Sequence, residues 1–198
     1  SLFQHFVKVD LTTQHRANGD ETAHMKLIEE MRSSDQPLTI RFLKKLKQLT
    51  PKDTKNMCWK FAPIVVTSNA ERDHLNKLQA KEYARTYKEP ILVYYDPIRN
   101  SSGICDPNGD DSKDLSKTFP RLKRYFVRGA PCTLTKNINP SMKLANGTNK
   151  NTTLHSLTWL PETSHPNITL LKKGKLNAGV EYRVPFPYSI NVFSNNTE

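Results

Sequence analysis

Several residue types and sequence features are scarce in this chain. Glycine occurs only 7 times against 13 prolines in 198 residues, which favours extended and looped chain. Hydrophobic residues make up 36% of the sequence, which leaves room for a core but not for an architecture buried on all sides. No apolar run approaches the length of a membrane span, and no signal peptide opens the sequence. A membrane protein is therefore not expected, and the length suits one domain or two small ones.

Cysteine is also scarce. Cys58, Cys105 and Cys132 are far apart, with no C-x-x-C pair and no neighbouring histidines to complete a zinc site. We therefore predict no bound metal. An odd number of separated cysteines fits a reducing compartment better than a disulfide framework, so an intracellular location is expected. The N-x-S/T triplets do not overturn this expectation, because they arise by chance in a chain rich in Asn and Thr.

Positive charge, by contrast, is abundant. The formal net charge is +11 and the sequence pI is near 9.6, so the surface attracts polyanions. Nucleic acid is the first candidate partner and an anionic membrane surface the second. The alternative is an ordinary basic protein whose lysines are simply solvated.

The strongest local pattern covers residues 61–87. Residues 64–66 are β-branched and follow a proline, which predicts a short buried strand. Ser68 or Asn69 can cap the helix that follows, and Glu71 lies in its first turn. Another β-rich run, at residues 91–95, comes after this helix. Strand, helix and strand in this order predict a right-handed crossover and a parallel pair.

The flanking segments also predict strands and helices, which together indicate an α/β fold. Before residue 61 we predict a strand at 6–12, a helix opened by the turn at 18–20, and a basic helix at 39–49. Beyond Phe119 the elements are short and β-like, which predicts a small antiparallel subdomain with strands at residues 125–127, 132–134, 152–159 and 180–184. Between these parts, residues 96–116 are rich in Asp, Asn, Ser and Gly and are expected to form an exposed loop. Two domains are therefore expected, at residues 1–118 and 119–198.

Basic and aromatic residues alternate near the start of the second predicted domain. Arg124 and Arg128 flank Tyr125 and Phe126, an arrangement that suits a groove contacting phosphates and stacking bases. Tyr125 and Phe126 are equally typical of the core side of a strand. Arg16 lies in a predicted strand-to-helix loop, where it can reach a phosphate or form a surface ion pair.

Four short segments, taken in order, carry a family resemblance. They are QHRA at residues 14–17, PIVVTSN at 63–69, RGAPCTLTKN at 128–137 and LANGT at 144–148. In this order they resemble the second half of a PIF-type DNA helicase of superfamily 1, and the resemblance covers most of residues 6–158. It implies a partial RecA-like parallel sheet with flanking helices, followed by a small β insertion.

The resemblance also implies functional residues. Arg16 would face the γ-phosphate of ATP, with Gln14 beside it, in a cleft completed by the remaining helicase domains. Contacts to single-stranded DNA are expected from the following residues: Thr67, Ser68, Asn69, Arg124, Arg128, Lys136, Asn137, Asn146 and Thr148. For Asn146 and its neighbours, a plain hairpin turn is an equal alternative. The expected compartment in a eukaryote is the nucleus or the mitochondrion.

The phosphate-binding loop of such helicases is not present in these residues. No G-x-x-x-x-G-K-S/T occurs in the sequence, so this chain by itself is not expected to hydrolyse ATP. ATP and Mg²⁺ would be cofactors of the parent enzyme, of which the chain would be a fragment. The alternative is a non-enzymatic module, derived from a helicase, that binds nucleic acid or a protein. A separate hydrolase or transferase is disfavoured because the histidines are scattered and no nucleophile motif is present.

Overall fold

The structure is a computed structural model, and it describes residues 26, 32, 48–98, 110–139, 141, 144–148 and 152–194. The chain divides into two compact units, Ser1–Lys55 and Asn56–Glu198. In the first unit Lys26 and Arg32 are helical, and Asp53–Lys55 forms a short 3-10 helix. Several sequence predictions fall outside the described residues. They are Gln14, Arg16, the predicted strand at 6–12 and most of the predicted helix at 39–49.

The second unit contains the predicted central helix. A short helix α1 (Met57–Lys60) precedes the helix α2 (Asn69–Tyr87), which begins after Ser68 as expected. Helix α2 ends at Lys88, whose φ of 56° is in the left-handed region, and Glu89 N–H donates to the Ala84 carbonyl at 3.0 Å. This six-residue closure satisfies a carbonyl that the end of the helix would otherwise leave unpaired.

A mixed sheet of three strands follows the helix. Its strands are β1 (Ile91–Tyr95), β2 (Lys123–Phe126) and β4 (Glu181–Arg183), with β1 in the centre. Strand β1 pairs antiparallel with β2 and parallel with β4. The strand predicted at 91–95 is therefore confirmed, and so is an α/β fold. Because only one of its two pairings is parallel, this sheet does not establish a RecA-like fold, which stays a prediction.

Each face of β1 contributes to a different part of the core. Ile91 and Val93 pack with Val127 and with Ala84 of α2. Leu92 and Tyr94, on the opposite face, pack against a cluster of buried residues: Phe126, Ile168 and Val184. Alternate residues of a strand point to opposite faces, so a central strand covered on both sides is apolar throughout.

The second cluster is covered by one helix and a separate sheet. Helix α4 (Pro166–Lys172) contributes Ile168, while β3 (Thr152–Thr158) pairs antiparallel with β5 (Ser189–Ser194). A bulge in β3 between Leu154 and Ser156 shifts the register. As a result Leu154 and Leu157, although three positions apart, both pack against this core. Helix α3 (Asp110–Leu115) and the 3-10 helix Pro120–Leu122 complete the described elements.

The strand predicted at residues 64–66 is wrong. This segment is not a strand in the structure, and Ile64 and Val65 are 57% and 97% exposed. Three β-branched residues favour a strand only where a neighbouring strand and a covered face are available. Among the described residues no strand pairs with this segment, so the predicted parallel pairing of 64–66 with 91–95 is also wrong.

The predictions for the second half are confirmed in part. Strands do form at residues 123–126, 152–158 and 181–183, and β3 with β5 makes a small antiparallel sheet. The strand predicted at 132–134 is reduced to a single bridge between Pro131 and Thr153, because proline has no N–H to donate to a ladder. In the predicted loop, α3 occupies residues 110–115. The expected boundary at 118/119 lies inside the second compact unit, and β1 pairs with strands beyond it.

Candidate nucleic-acid interface

The segment around Lys136 is a loop that closes on its own backbone. Cys132 N–H donates to the Thr152 carbonyl at 3.0 Å, which fixes the start of the loop on β3. Leu134 N–H then donates to the Thr148 carbonyl at 3.0 Å, and Gly147 N–H donates back to the Leu134 carbonyl at 2.8 Å. Leu134 is itself buried. We call the described residues of this segment, 134–139, 141 and 144–148, the candidate loop. Hydrogen bonds and packing both anchor the two ends of the candidate loop.

The candidate loop brings together the polar residues that the sequence placed there. The Asn137 side-chain oxygen accepts a hydrogen bond from Asn146 N–H at 2.8 Å, and the Thr148 hydroxyl accepts one from Ala145 N–H at 3.2 Å. Gly147 has a φ of 88°, and Thr148 N–H donates to the Ala145 carbonyl at 3.0 Å. A tight turn at these residues is thus confirmed, since this is a β-turn with glycine where a positive φ is required. Leu144, which precedes the turn, bridges to Asn139 and not across the turn, so the turn does not join two paired strands. A contact of Asn146 with DNA stays a prediction.

Within this loop the candidate side chains divide by role. Asn137 and Thr148 hold the loop in shape through the bonds just described, so a contact to DNA by either would be additional to a structural role. Lys136 and Asn146 are exposed. A lysine on an anchored loop presents a point charge at a fixed distance from the domain, which is what a phosphate contact needs.

Thr67, Ser68 and Asn69 form the capped start of α2. Ser68 Oγ accepts from Glu71 N–H at 3.2 Å, while the Glu71 carboxylate accepts from Ser68 N–H at 3.2 Å. The Thr67 hydroxyl also donates to this carboxylate, and the Asn69 side chain accepts from Arg72. Hydrogen bonds from Ser68 lower the pKa of Glu71 and keep it charged. An anion already occupies this helix start, which disfavours a phosphate there.

We expect replacement of Ser68 by alanine to destabilise the protein by about 1 kcal/mol, because the helix start loses its side-chain acceptor. Ser68→Asn is the matched control, since asparagine is also a good cap and should retain stability. Urea denaturation of both variants measures the difference. An alanine variant as stable as the wild type would show that the capping box does not stabilise α2.

Arg124, within β2, and Arg128, just after it, lie in different surroundings. Arg124 donates from Nε and Nη2 to one Asp96 oxygen at 2.8 and 2.6 Å, and this carboxylate raises the pKa of Arg124. Arg128 is exposed. Phe126 is buried and Tyr125 packs against the core, so the core alternative for these two aromatics is confirmed. Of the two arginines, Arg128 is the better placed for a phosphate.

The distribution of charge along the sequence indicates a basic region that the motifs did not reveal. Residues 115–180 contain a single acidic residue, Glu162, against eleven basic ones, and therefore carry a net charge of +10. The remainder of the chain is nearly neutral, since the total is +11. A count of charge along the sequence would have found this. The basic character of the protein belongs to the region that carries the candidate loop.

The described part of the chain gives no sign of two other kinds of site. Nowhere in it do three or more His, Cys, Asp or Glu side chains group as a metal site requires. None of its helices combines the length and apolar composition needed to cross a bilayer. Comparison of the chain with protein-family models, with curated proteins and with solved structures found no match.

Proposed function

We propose that this chain is part of an ATP-dependent DNA helicase and that it contacts the backbone of single-stranded DNA through the candidate loop. The observation that carries the proposal is the concentration of charge at residues 115–180, where Lys136 projects from an anchored loop. A strand passing this region would meet a strongly positive surface, and such a surface binds nucleic acid mainly through phosphates. Arg128 and Asn146 are the other exposed contacts in this proposal.

In this proposal the chain contributes residues to ATP hydrolysis but does not hydrolyse ATP by itself. Arg16 and Gln14 would face the γ-phosphate of ATP, while Mg²⁺ and the phosphate-binding loop would come from the remaining helicase domains. The mixed sheet of the second unit would be the described part of a RecA-like domain. Thr67, Ser68 and Asn69 would reach DNA only through groups not used by the cap of α2.

The test is binding of fluorescent single-stranded and duplex oligonucleotides across a salt series. We expect Lys136→Ala to weaken single-strand binding by about 0.6–1.4 kcal/mol, which is roughly 3- to 10-fold. Because one phosphate contact is lost, the slope of log K against log salt should fall by about 0.7. Lys136 is exposed, so its replacement should leave the fold intact.

Two further variants separate this contact from other effects of charge. Lys77→Ala removes the same charge from an exposed position on α2 and should change neither the affinity nor the slope appreciably. Arg16→Ala should leave binding alone if this arginine faces ATP. Equal losses from Lys136→Ala and Lys77→Ala would contradict the assignment of the candidate loop, and absence of binding at low salt would contradict the proposed function.

A non-enzymatic module is the second candidate function. The observation favouring it is the exposure of the neighbouring apolar side chains Ile64 and Val65, since exposed apolar surface is typical of a protein contact. The sequence of the complete gene separates the two candidates. A phosphate-binding motif upstream supports the motor, whereas an unrelated domain there supports the module.

A further inference from the structure

A second group of positive charges lies at the end of α4, far along the chain from the candidate loop. Lys172, Lys173 and Lys175 are all exposed and surround Gly174, whose φ is 64°. We call residues 172–175 the lysine turn. Lys175 N–H donates to the Leu170 carbonyl at 2.9 Å and Gly174 N–H to the Leu171 carbonyl at 3.0 Å. The backbone of the lysine turn is therefore closed by hydrogen bonds to its own helix.

No carboxylate neutralises the lysine turn within the described part of the chain. The nearest acidic residues in sequence are Glu162 and Glu181. Glu181 is already shared by Lys81 at 3.0 Å and Lys123 at 3.1 Å. The described lysines with ion pairs, such as Lys60 with Glu82, lie on other elements. The lysine turn thus has three ammonium groups without a described counter-charge.

The helix itself offsets only a small part of this charge. The end of an α-helix behaves as roughly half a negative charge, and α4 is short. One lysine in its last turn is an ordinary complement to that dipole. Three lysines within four residues exceed it and repel one another, so the turn is a site of uncompensated positive potential.

We propose that the lysine turn is a second contact for the phosphate backbone of nucleic acid, used without regard to base sequence. It deepens the proposed function and rests on it. The neighbouring Leu171 and Leu176 pack against the core rather than outward. A membrane-binding surface usually adds apolar side chains to its basic ones, and the inward direction of these leucines favours nucleic acid over a lipid surface.

The experiment compares two triple variants that lose the same charge. One changes Lys172, Lys173 and Lys175 to Gln; the other changes Lys52, Lys77 and Lys113, which are exposed and dispersed, to Gln. Binding of a fluorescent oligothymidylate is measured for both across a salt series, with Lys136→Ala in parallel. The lysine-turn variant should bind about 10-fold or more weakly, and its salt slope should fall by about 2, as expected for three lost contacts. The dispersed variant should show a much smaller change.

The outcomes separate this inference from the proposed function. If both triple variants lose affinity equally, only overall charge matters and the inference is overturned, even if Lys136→Ala still weakens binding. If the lysine-turn variant alone weakens binding and Lys136→Ala has no effect, the inference holds and the assignment of the candidate loop fails. If the wild type binds phosphatidylserine vesicles through the lysine turn but binds no oligonucleotide, the inference is overturned in favour of a membrane surface.

Discussion

Replacing Phe126 with alanine is expected to lower the free energy of unfolding by about 3–5 kcal/mol. Phe126 is 4% exposed and packs against Leu92, Ile168 and Val184, which come from three separate parts of the chain. Its removal would take away apolar burial and leave a cavity between the mixed sheet and α4. A loss of this size is a large part of the total stability of an ordinary domain.

Chemical denaturation by urea, followed by circular dichroism, measures this effect. Phe193→Ala is the matched control, because it makes the same chemical change at a side chain that is 54% exposed. Its effect should be clearly smaller, since about half of the Phe193 side chain is already exposed to solvent. A similar loss for both variants would contradict the packing of Phe126 described above. If Phe126→Ala does not fold, Phe126→Leu, which fills more of the space, should recover a measurable part of the stability.

Raising the pH toward 12 should destabilise the protein through Tyr94. Burial is the main cause that raises the pKa of Tyr94 from 10.0 to about 12, with the charge of Asp96 adding to it. The folded protein therefore holds this phenol neutral at a pH where the unfolded chain ionises it. The contribution is fully present below pH 10 and is lost as the pH rises through about 12. Between these values it amounts to about 2 kcal/mol.

Tyr94→Phe isolates this effect from the titration of the lysines in the same range. The difference in unfolding free energy between wild type and variant should change by about 2 kcal/mol across the interval. Denaturant titrations at several pH values, together with the ultraviolet absorbance of tyrosinate, follow it. A constant difference, or ionisation of Tyr94 with the exposed tyrosines, would show that its phenol is accessible to water.

The parts of the fold that the sequence predicted well are those with local causes. Helix α2 begins where Ser68 and Glu71 can form a capping box, and both hydrogen bonds of that box are present. Strand β1 was found because a central strand covered on both faces is apolar throughout. The turn at Asn146 and Gly147 likewise follows from glycine accepting a positive φ.

The predictions that failed concern elements whose pairing partners are distant in sequence. Residues 64–66 have the composition of a strand, but a strand needs a neighbour to accept its backbone hydrogen bonds, and composition does not supply one. The neighbours of β1 are β2 and β4, which lie at residues 123–126 and 181–183. The sequence around β1 contains no pattern that predicts either pairing. The bulge in β3 could not be predicted for the same reason, because a bulge is defined only by the register of β3 against β5.

The candidate site shows the same division. The sequence by itself determined the charge: nearly all of the excess is at residues 115–180, whatever the fold. Only the tertiary structure decided which charges remain available, because Asp96 engages Arg124 and Glu181 engages Lys123, while Lys136 and the lysine turn stay exposed. Charge is a property of each residue alone, whereas its neutralisation depends on the distance to another residue, which folding sets.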